Sequence, residues 1–88
     1  MKKYWTIKEV SEMINVKPHT IRSWEKKLPW INPKRNKKGD RRYEAHIVVE
    51  VGKVAWLLNE FGLTLDGIAK AHEFSYINDL MYLRLTHK

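Results

Sequence analysis

The chain has 88 residues, with 17 Lys or Arg against 10 Asp or Glu and a formal net charge of +7. Its 43% hydrophobic content predicts one small folded domain, and the absence of cysteine excludes disulfides, cysteine-based zinc sites and thiolate chemistry. No apolar run is long enough to span a bilayer, so we expect a soluble, cytoplasmic protein with no membrane partner.

Two short helices joined by a tight turn are predicted in the first third of the chain. Thr6 and Glu9 have the spacing of a capping box, in which each side chain bonds the other residue's amide. Apolar residues at helical spacing then predict a helix from about Thr6 to Ile14. Pro18 suits the first position of a second helix, although Lys17 is a poor N-cap. The pattern is that of a helix-turn-helix.

The second helix divides its side chains between two faces. Ile21, Trp24 and Leu28 share the face predicted to pack inward. For Trp24 the alternative is an aromatic ring that faces DNA. The opposite face carries His19, Arg22, Ser23 and Lys26, with Thr20 and Lys27 beside them.

A basic hairpin is predicted directly after the second helix. Ile31 to Arg35 and Arg41 to Tyr43 are expected to be short strands, and Gly39 between them suits a positive φ angle. Between Lys17 and Arg42 there are ten Lys or Arg and two acids, whereas the rest of the chain is close to neutral. The positive charge is therefore a local patch, as expected for a surface that binds a duplex polyanion.

Two further helices are predicted after the hairpin. The first runs from about Ala45 to Phe61, stops at Gly62, and has a core stripe of Ile47, Val51, Val54, Leu57, Leu58 and Phe61. Thr64 is expected to cap the second, whose inward residues are predicted to be Leu65, Ile68, Ala69 and Ala71. One or two helical turns are expected between Asn78 and Leu85. We assign residues 1–75 to one DNA-binding domain and 76–88 to a short tail, for packing or a weak dimer contact.

Val49 and Trp56 lie seven residues apart, on the side of the long helix away from its stripe. Trp56 is expected either to pack under the tail, burying Leu80 or Leu83, or to form with Val49 an exposed patch for self-association or a partner domain.

Residues with the spacing of a catalytic or metal site are not found. The four histidines, His19, His46, His72 and His87, have no ligand-like spacing, and the glycines form no nucleotide-binding loop. We therefore expect no enzyme activity, no metal and no cofactor.

The cationic residues have two expected roles in binding double-stranded DNA. Arg22 projects from the outer face of the second helix, where an arginine can bond guanine O6 and N7 in the major groove, the alternative being a phosphate contact alone. His19, Thr20 and Ser23 are short polar groups at the start of the same helix, suited to phosphate. The hairpin is expected to grip the backbone through Lys34, Arg35, Lys37, Lys38, Arg41 and Arg42. Tyr43 is expected either to pack inside or to bond phosphate through its hydroxyl.

Three segments carry a resemblance to a known family. They are Tyr4-Trp5-Thr6-Ile7-Lys8-Glu9-Val10, Val16-Lys17-Pro18-His19-Thr20-Ile21-Arg22-Ser23-Trp24-Glu25, and Lys38-Gly39-Asp40-Arg41-Arg42-Tyr43. In that order and with those gaps, the chain resembles the N-terminal DNA-binding domain of MerR-family transcription regulators over roughly residues 4–74. Phe61-Gly62-Leu63-Thr64-Leu65-Asp66-Gly67-Ile68 is similar to the last DNA-domain helix of that family.

The resemblance implies a mainly α, winged helix-turn-helix fold of about four helices and a two-stranded wing. His19 to Lys26 would be the recognition helix and Pro33 to Tyr43 the wing, with Thr20, Arg22, Ser23 and Arg41 at contact positions. Members typically bind pseudo-palindromic promoter DNA as dimers.

The chain departs from the family pattern at three points. Ser23 replaces a frequent aromatic. Asp40 would repel phosphate unless it pairs with a neighbouring arginine. No long dimerisation helix or effector domain follows, so we expect no small-molecule effector site and a mostly monomeric or weakly dimeric protein that dimerises on DNA.

The sequence thus predicts a sequence-specific, double-stranded DNA-binding protein of the MerR type, either a transcription regulator or the isolated DNA domain of one. One alternative is a recombination directionality or excision factor. The other is a protein-interaction module that uses the Val49 and Trp56 patch.

Overall fold

The computed structural model describes residues 2–74 as helices arranged around a small sheet. In chain order the elements are β1 (Tyr4–Trp5), α1 (Ile7–Ile14), α2 (Pro18–Lys27), β2 (Lys34–Arg35), β3 (Arg41–Glu44) and α3 (Ala45–Glu60), followed by α4 over residues 65–74. This is the predicted mainly α, winged helix-turn-helix. The tail expected from residue 76 lies outside the described residues.

The capping box of α1 forms as the sequence predicts. The Thr6 hydroxyl accepts from the Glu9 amide at 3.1 Å, and the Glu9 carboxylate accepts from the Thr6 amide at 2.9 Å. Lys2 also bonds this carboxylate, and that bond lowers the pKa of Glu9, with the Thr6 amide adding to the effect. The helix ends before Asn15, which takes the left-handed conformation at φ 56° and turns the chain toward α2.

The start and end of α2 also follow from the sequence. Pro18 occupies its first turn, and Lys17 precedes it in an extended conformation without a side-chain cap. Leu28 is extended, as expected of a residue before proline, and ends the helix after Lys27.

The sheet has three antiparallel strands in the order β1-β3-β2. The wing hairpin pairs Lys34 with Arg42 and Arg35 with Arg41. On its other side β3 pairs with β1, a strand that we did not predict, placing Trp5 opposite Tyr43. This third strand ties the wing to the residues just before α1.

The hydrophobic core lies where α1, α2, β3 and α3 meet. Trp24 is 5% exposed, which confirms its expected inward role and excludes the DNA-facing alternative. The buried residues of the core are Val10, Ile21, Trp24, Leu28, Ile31, Tyr43, Ile47, Val51, Val54, Ala55 and Ile68. Most of these residues lie on α2, β3 and α3. Burial of their apolar area therefore fixes the recognition helix against β3, which we call the root of the wing.

Two residues predicted to face the core are instead exposed. Phe61 is 61% exposed because α3 ends at Glu60, so Phe61 no longer follows the helical stripe. Its ring packs edge-on against Trp56, with centroids 4.7 Å apart. Ala71 is also exposed, on the outer side of α4. Gly62, at φ +66°, stops the helix as predicted.

Helix α4 is capped by Thr64, whose hydroxyl accepts from the Gly67 amide at 3.0 Å. Two contacts outside the core fasten α4 to the end of α2 and the residues that follow it. The Lys27 ammonium donates to the Asp66 carboxylate at 2.7 Å. The Trp30 and His72 rings stack with their centroids 3.8 Å apart and an angle of 8° between their planes. None of the helices within residues 2–74 has the length and apolar character needed to cross a bilayer.

Candidate nucleic-acid interface

The outer face of α2 is open to solvent. His19, Arg22, Ser23 and Lys26 are exposed, and Thr20 is half-buried beside them. The Ser23 hydroxyl donates to the Thr20 carbonyl at 2.8 Å, so its oxygen is left as an acceptor. The predicted recognition residues therefore share one accessible face.

The wing loop between β2 and β3 is organised by Asn36. Its side-chain oxygen accepts from the Lys38 and Asp40 backbone amides at 3.0 and 2.9 Å. Its backbone amide donates to the Asp40 carbonyl at 2.9 Å. Gly39 has a φ of +87°, as predicted. The loop is thus a closed turn with exposed lysines, Lys37 and Lys38.

Asp40 is bonded to an amide and not to a neighbouring arginine. Its carboxylate accepts from the Asn36 side-chain amide at 3.3 Å, whereas Arg35 donates to the Gly39 carbonyl at 2.9 Å. Among residues 2–74, the acid in the wing is therefore held by an uncharged amide, and no arginine neutralises it.

A half-buried charge network joins the wing to α2. The Arg41 Nε donates to both carboxylate oxygens of Glu25, at 2.8 and 3.0 Å, and the Tyr43 hydroxyl donates to one of them at 2.6 Å. The side chains of Arg41 and Glu25 are only 19% and 11% exposed. Burial raises the pKa of the Tyr43 hydroxyl, and the bond to the Glu25 carboxylate raises it further. Charge-assisted bonds of this kind fix the angle between the wing and the recognition helix.

This network changes the roles expected for two residues. Tyr43 is fully buried and its hydroxyl donates to the Glu25 carboxylate, which favours the packing role over the phosphate contact. Arg41 is neutralised by Glu25, and we infer that it positions the wing instead of serving as a free phosphate contact.

Two of the remaining wing cations face each other across the hairpin. Lys34 is opposite Arg42, and like charges at such positions destabilise a hairpin. Glu44 relieves this repulsion weakly, at 3.7 Å from the Lys34 ammonium. Arg35 is opposite Arg41, whose charge is offset by Glu25. The unbound wing therefore concentrates positive charge at some cost in stability.

A groove of about 420 Å³ lies between α2, the wing and the start of α1. It brings together Arg22, Arg41 and Arg42 from the predicted site. His19, Lys26, Lys37 and Lys38 do not line it.

Sequence reasoning missed two residues that organise this surface. Glu25 is the anchor of Arg41 and Tyr43, and Asn36 is the centre of the wing loop. The sequence does contain a feature that points to Glu25. It is one of only two acids between Lys17 and Arg42, and it follows the core residue Trp24. The sequence feature that points to Asn36 is weaker: it is the first residue of a turn that ends in Gly39.

Two further features of the described residues concern metal binding and protein contacts. Within residues 2–74 no three His, Asp or Glu side chains lie close enough to hold a metal ion. Val49 and Trp56 are 57% and 55% exposed, and with Phe61 they form an apolar patch on the outer side of α3. Whether the tail covers Trp56 concerns residues outside those described.

The chain matches the model of a known protein family. The model of the MerR HTH regulatory protein family matches residues 5–74, which include α1, α2, the wing, α3 and α4. A search of curated proteins finds no match to the chain.

Proposed function

The chain belongs to the MerR HTH family of regulatory proteins and is a DNA-binding transcription regulator of that family, and we propose that α2 reads a specific duplex sequence while the wing grips the phosphate backbone. This family is one of regulators without enzymatic activity. A DNA-binding role implies that the protein works in the cytoplasm, associated with the nucleoid.

The observation that carries this proposal is the pairing of like charges in the wing. Lys34 opposes Arg42, and within residues 2–74 this pair is offset only by Glu44, 3.7 Å from the Lys34 ammonium. Arg35 opposes Arg41, whose charge is already offset by Glu25. A polyanion removes the penalty by supplying negative charge between the strands. The excess of positive charge in the wing therefore supports a contact with a phosphate backbone.

The exposed face of α2 has the groups that base recognition needs. Arg22 can donate two hydrogen bonds to guanine O6 and N7, and the acceptor oxygen of Ser23 can meet an amino group of cytosine or adenine. His19, Thr20 and Lys26 flank them and suit phosphate contacts.

Backbone contacts are assigned to the cations that remain exposed in the wing. These are Lys34, Arg35, Lys37, Lys38 and Arg42. Each phosphate contact releases about one counterion, so removing one cation should weaken binding on every sequence and lower the salt slope by about one unit. Arg41 contributes by holding the wing in position.

The experiment is a comparison of two charge removals on a duplex selected from a random pool. Arg22→Ala should reduce affinity for the selected duplex more than for an unrelated one. Lys37→Ala should reduce both equally. Lys53→Ala is the matched control, because Lys53 is an exposed cation on α3 that pairs with Glu50 and does not line the groove. Equal effects of Arg22→Ala and Lys53→Ala would contradict the reading role of α2.

The family resemblance supports binding as a dimer to a pseudo-palindromic site. We expect light scattering to show a monomer or weak dimer in free solution, and two copies on one duplex. A footprint over a single inverted repeat supports regulation of a promoter. Cooperative protection of tandem sites would instead favour a recombination directionality or excision factor.

A second candidate function is favoured by the apolar patch of Val49, Trp56 and Phe61. An edge-to-face aromatic pair left exposed at the end of α3 is suited to a protein contact. Replacing Arg22 and Arg42 by Ala should abolish a DNA-based function and leave a function of this patch intact. Trp56→Ser should have the reverse effect.

A further inference from the structure

The groove of about 420 Å³ beside α2 has a wall that the recognition helix and the wing do not supply. This wall comes from residues 4–8, which contain β1 and the start of α1. Because β1 pairs with β3, the wall is fixed relative to the wing. Residues 4–8, the recognition helix and the wing therefore form the groove together.

Three cations from three different elements line this groove. Lys8 comes from α1, Arg22 from α2 and Arg42 from β3, and all three are exposed. Within residues 2–74 none of the three forms an ion pair, unlike Arg41, which also lines the groove but is neutralised by Glu25. The one acid in the lining is Asp40, which is bonded to Asn36.

The groove also has an apolar side. Tyr4 and Trp5 are half-buried and line it beside the cations. A ligand that fits must carry negative charge toward Lys8, Arg22 and Arg42 while offering a less polar part to the two rings. A phosphodiester with its adjoining deoxyribose has both properties, whereas a free inorganic anion has only the first.

We infer that this groove binds a backbone phosphodiester of the duplex that α2 reads, with Lys8 as a DNA contact and Tyr4 against the sugar. The inference rests on the proposed function, since it adds a third contact element to the recognition helix and the wing. Arg22 on one wall of the groove then links this phosphate to the bases that the same helix faces. The groove would thus help to set how deeply α2 enters the major groove.

The test measures binding of the full chain to its selected duplex and to an unrelated duplex over a series of salt concentrations. Lys8→Ala should lower affinity for both by the same factor, about 3- to 10-fold, and reduce the salt slope by about one unit. Lys8→Arg should restore the slope, because it keeps the charge. Thermal unfolding of each variant reports whether the fold is retained.

A neutral methylphosphonate placed at single backbone positions identifies the phosphate. At one position the methylphosphonate should weaken the DNA affinity of the unaltered chain. The same methylphosphonate should leave the DNA affinity of the Lys8→Ala variant unchanged, because the two changes remove the same contact. An acidic peptide is the competing occupant of the groove. If Lys8→Ala loses binding of a glutamate-rich peptide while its DNA affinity and salt slope match those of Lys53→Ala, the inference is overturned and the proposed function stands. If the unaltered chain selects no duplex, both fail.

Discussion

The root and the loop of the wing contain the same kind of residue in opposite surroundings. At the root, Arg41 is 19% exposed and is bonded to Glu25, which also accepts from the buried Tyr43 hydroxyl. In the loop, Lys37 and Lys38 are exposed on a turn that Asn36 closes by its own hydrogen bonds. A count of cations cannot separate a residue that holds the wing in place from one that is free to bind phosphate. The two groups should therefore respond differently to substitution.

The largest effect is expected at the root, from Glu25→Ala. This change leaves Arg41 without its counter-charge and the Tyr43 hydroxyl without an acceptor, so unfolding should become easier by about 2–4 kcal/mol, less than for a fully buried pair. DNA affinity should fall as well, because the wing loses its fixed angle to α2. Urea unfolding measures the first effect and fluorescence anisotropy the second. Glu50→Ala is the control, since the partner of Glu50 within residues 2–74 is the exposed Lys53 on the same helix. A stability change no larger than that of the control would contradict the anchoring role of Glu25.

Tyr43→Phe separates the hydroxyl from the ring at the same root. Losing one hydrogen bond to a charged acceptor should cost about 1–2 kcal/mol, while the ring continues to fill the core.

The raised pKa of Tyr43 gives the same residue a second test. Because the folded state favours the neutral phenol, its contribution to stability is complete below about pH 10, the ordinary tyrosine value, and is lost as the pH rises through the folded pKa. An absorbance titration of the four tyrosines should show one that ionises late, and Tyr43→Phe should remove that one. Normal ionisation of every tyrosine in the folded protein would contradict the network.

In the loop, Gly39→Ala tests the backbone in place of a side chain. Gly39 has a φ of +87° with open space around it, so the cost is conformational and about 1 kcal/mol. Gly52→Ala is the matched comparison, because Gly52 lies within α3 and a Cβ there would meet only a methyl group of Ile14 at 4.0 Å. That substitution should stabilise the protein by about 0.5–1 kcal/mol. Thermal unfolding should therefore give opposite signs for the two glycines, and equal signs would contradict the assigned turn.

The smallest effect on stability is expected from Arg42→Gln, and its sign is the informative part. Removing one of two opposed cations should stabilise the free protein by a few tenths of a kcal/mol, about the size of a cross-strand charge term, while weakening DNA binding. Denaturant unfolding and a binding titration on the same sample measure both quantities. A loss of stability together with unchanged DNA affinity would show that Arg42 is a structural residue like Arg41.

The sequence predicted the features that depend on local order. The Thr6 and Glu9 cap, Pro18 at the start of α2 and the positive φ of Gly39 each follow from a few adjacent residues, and all are present. The family resemblance added the order of the elements and the identity of the wing.

What the sequence did not predict depends on residues far apart in the chain. Strand β1 is two residues long and exists because β3, about 40 positions later, supplies its hydrogen bonds. The Glu25 carboxylate reaches residues 16 and 18 positions away, which no helical or strand period encodes. Periodicity also placed Phe61 in the core, although the helix ends one residue earlier.

The most direct test of the central claim is selection of bound duplexes from a random pool at two salt concentrations. If α2 reads bases and the wing grips phosphates, one motif should be enriched at both salt concentrations, and affinity should fall steeply as salt rises. Selection with Arg22→Ala should then lose preference at part of that motif. Enrichment of no motif, together with binding that is weak or insensitive to salt, would contradict the account.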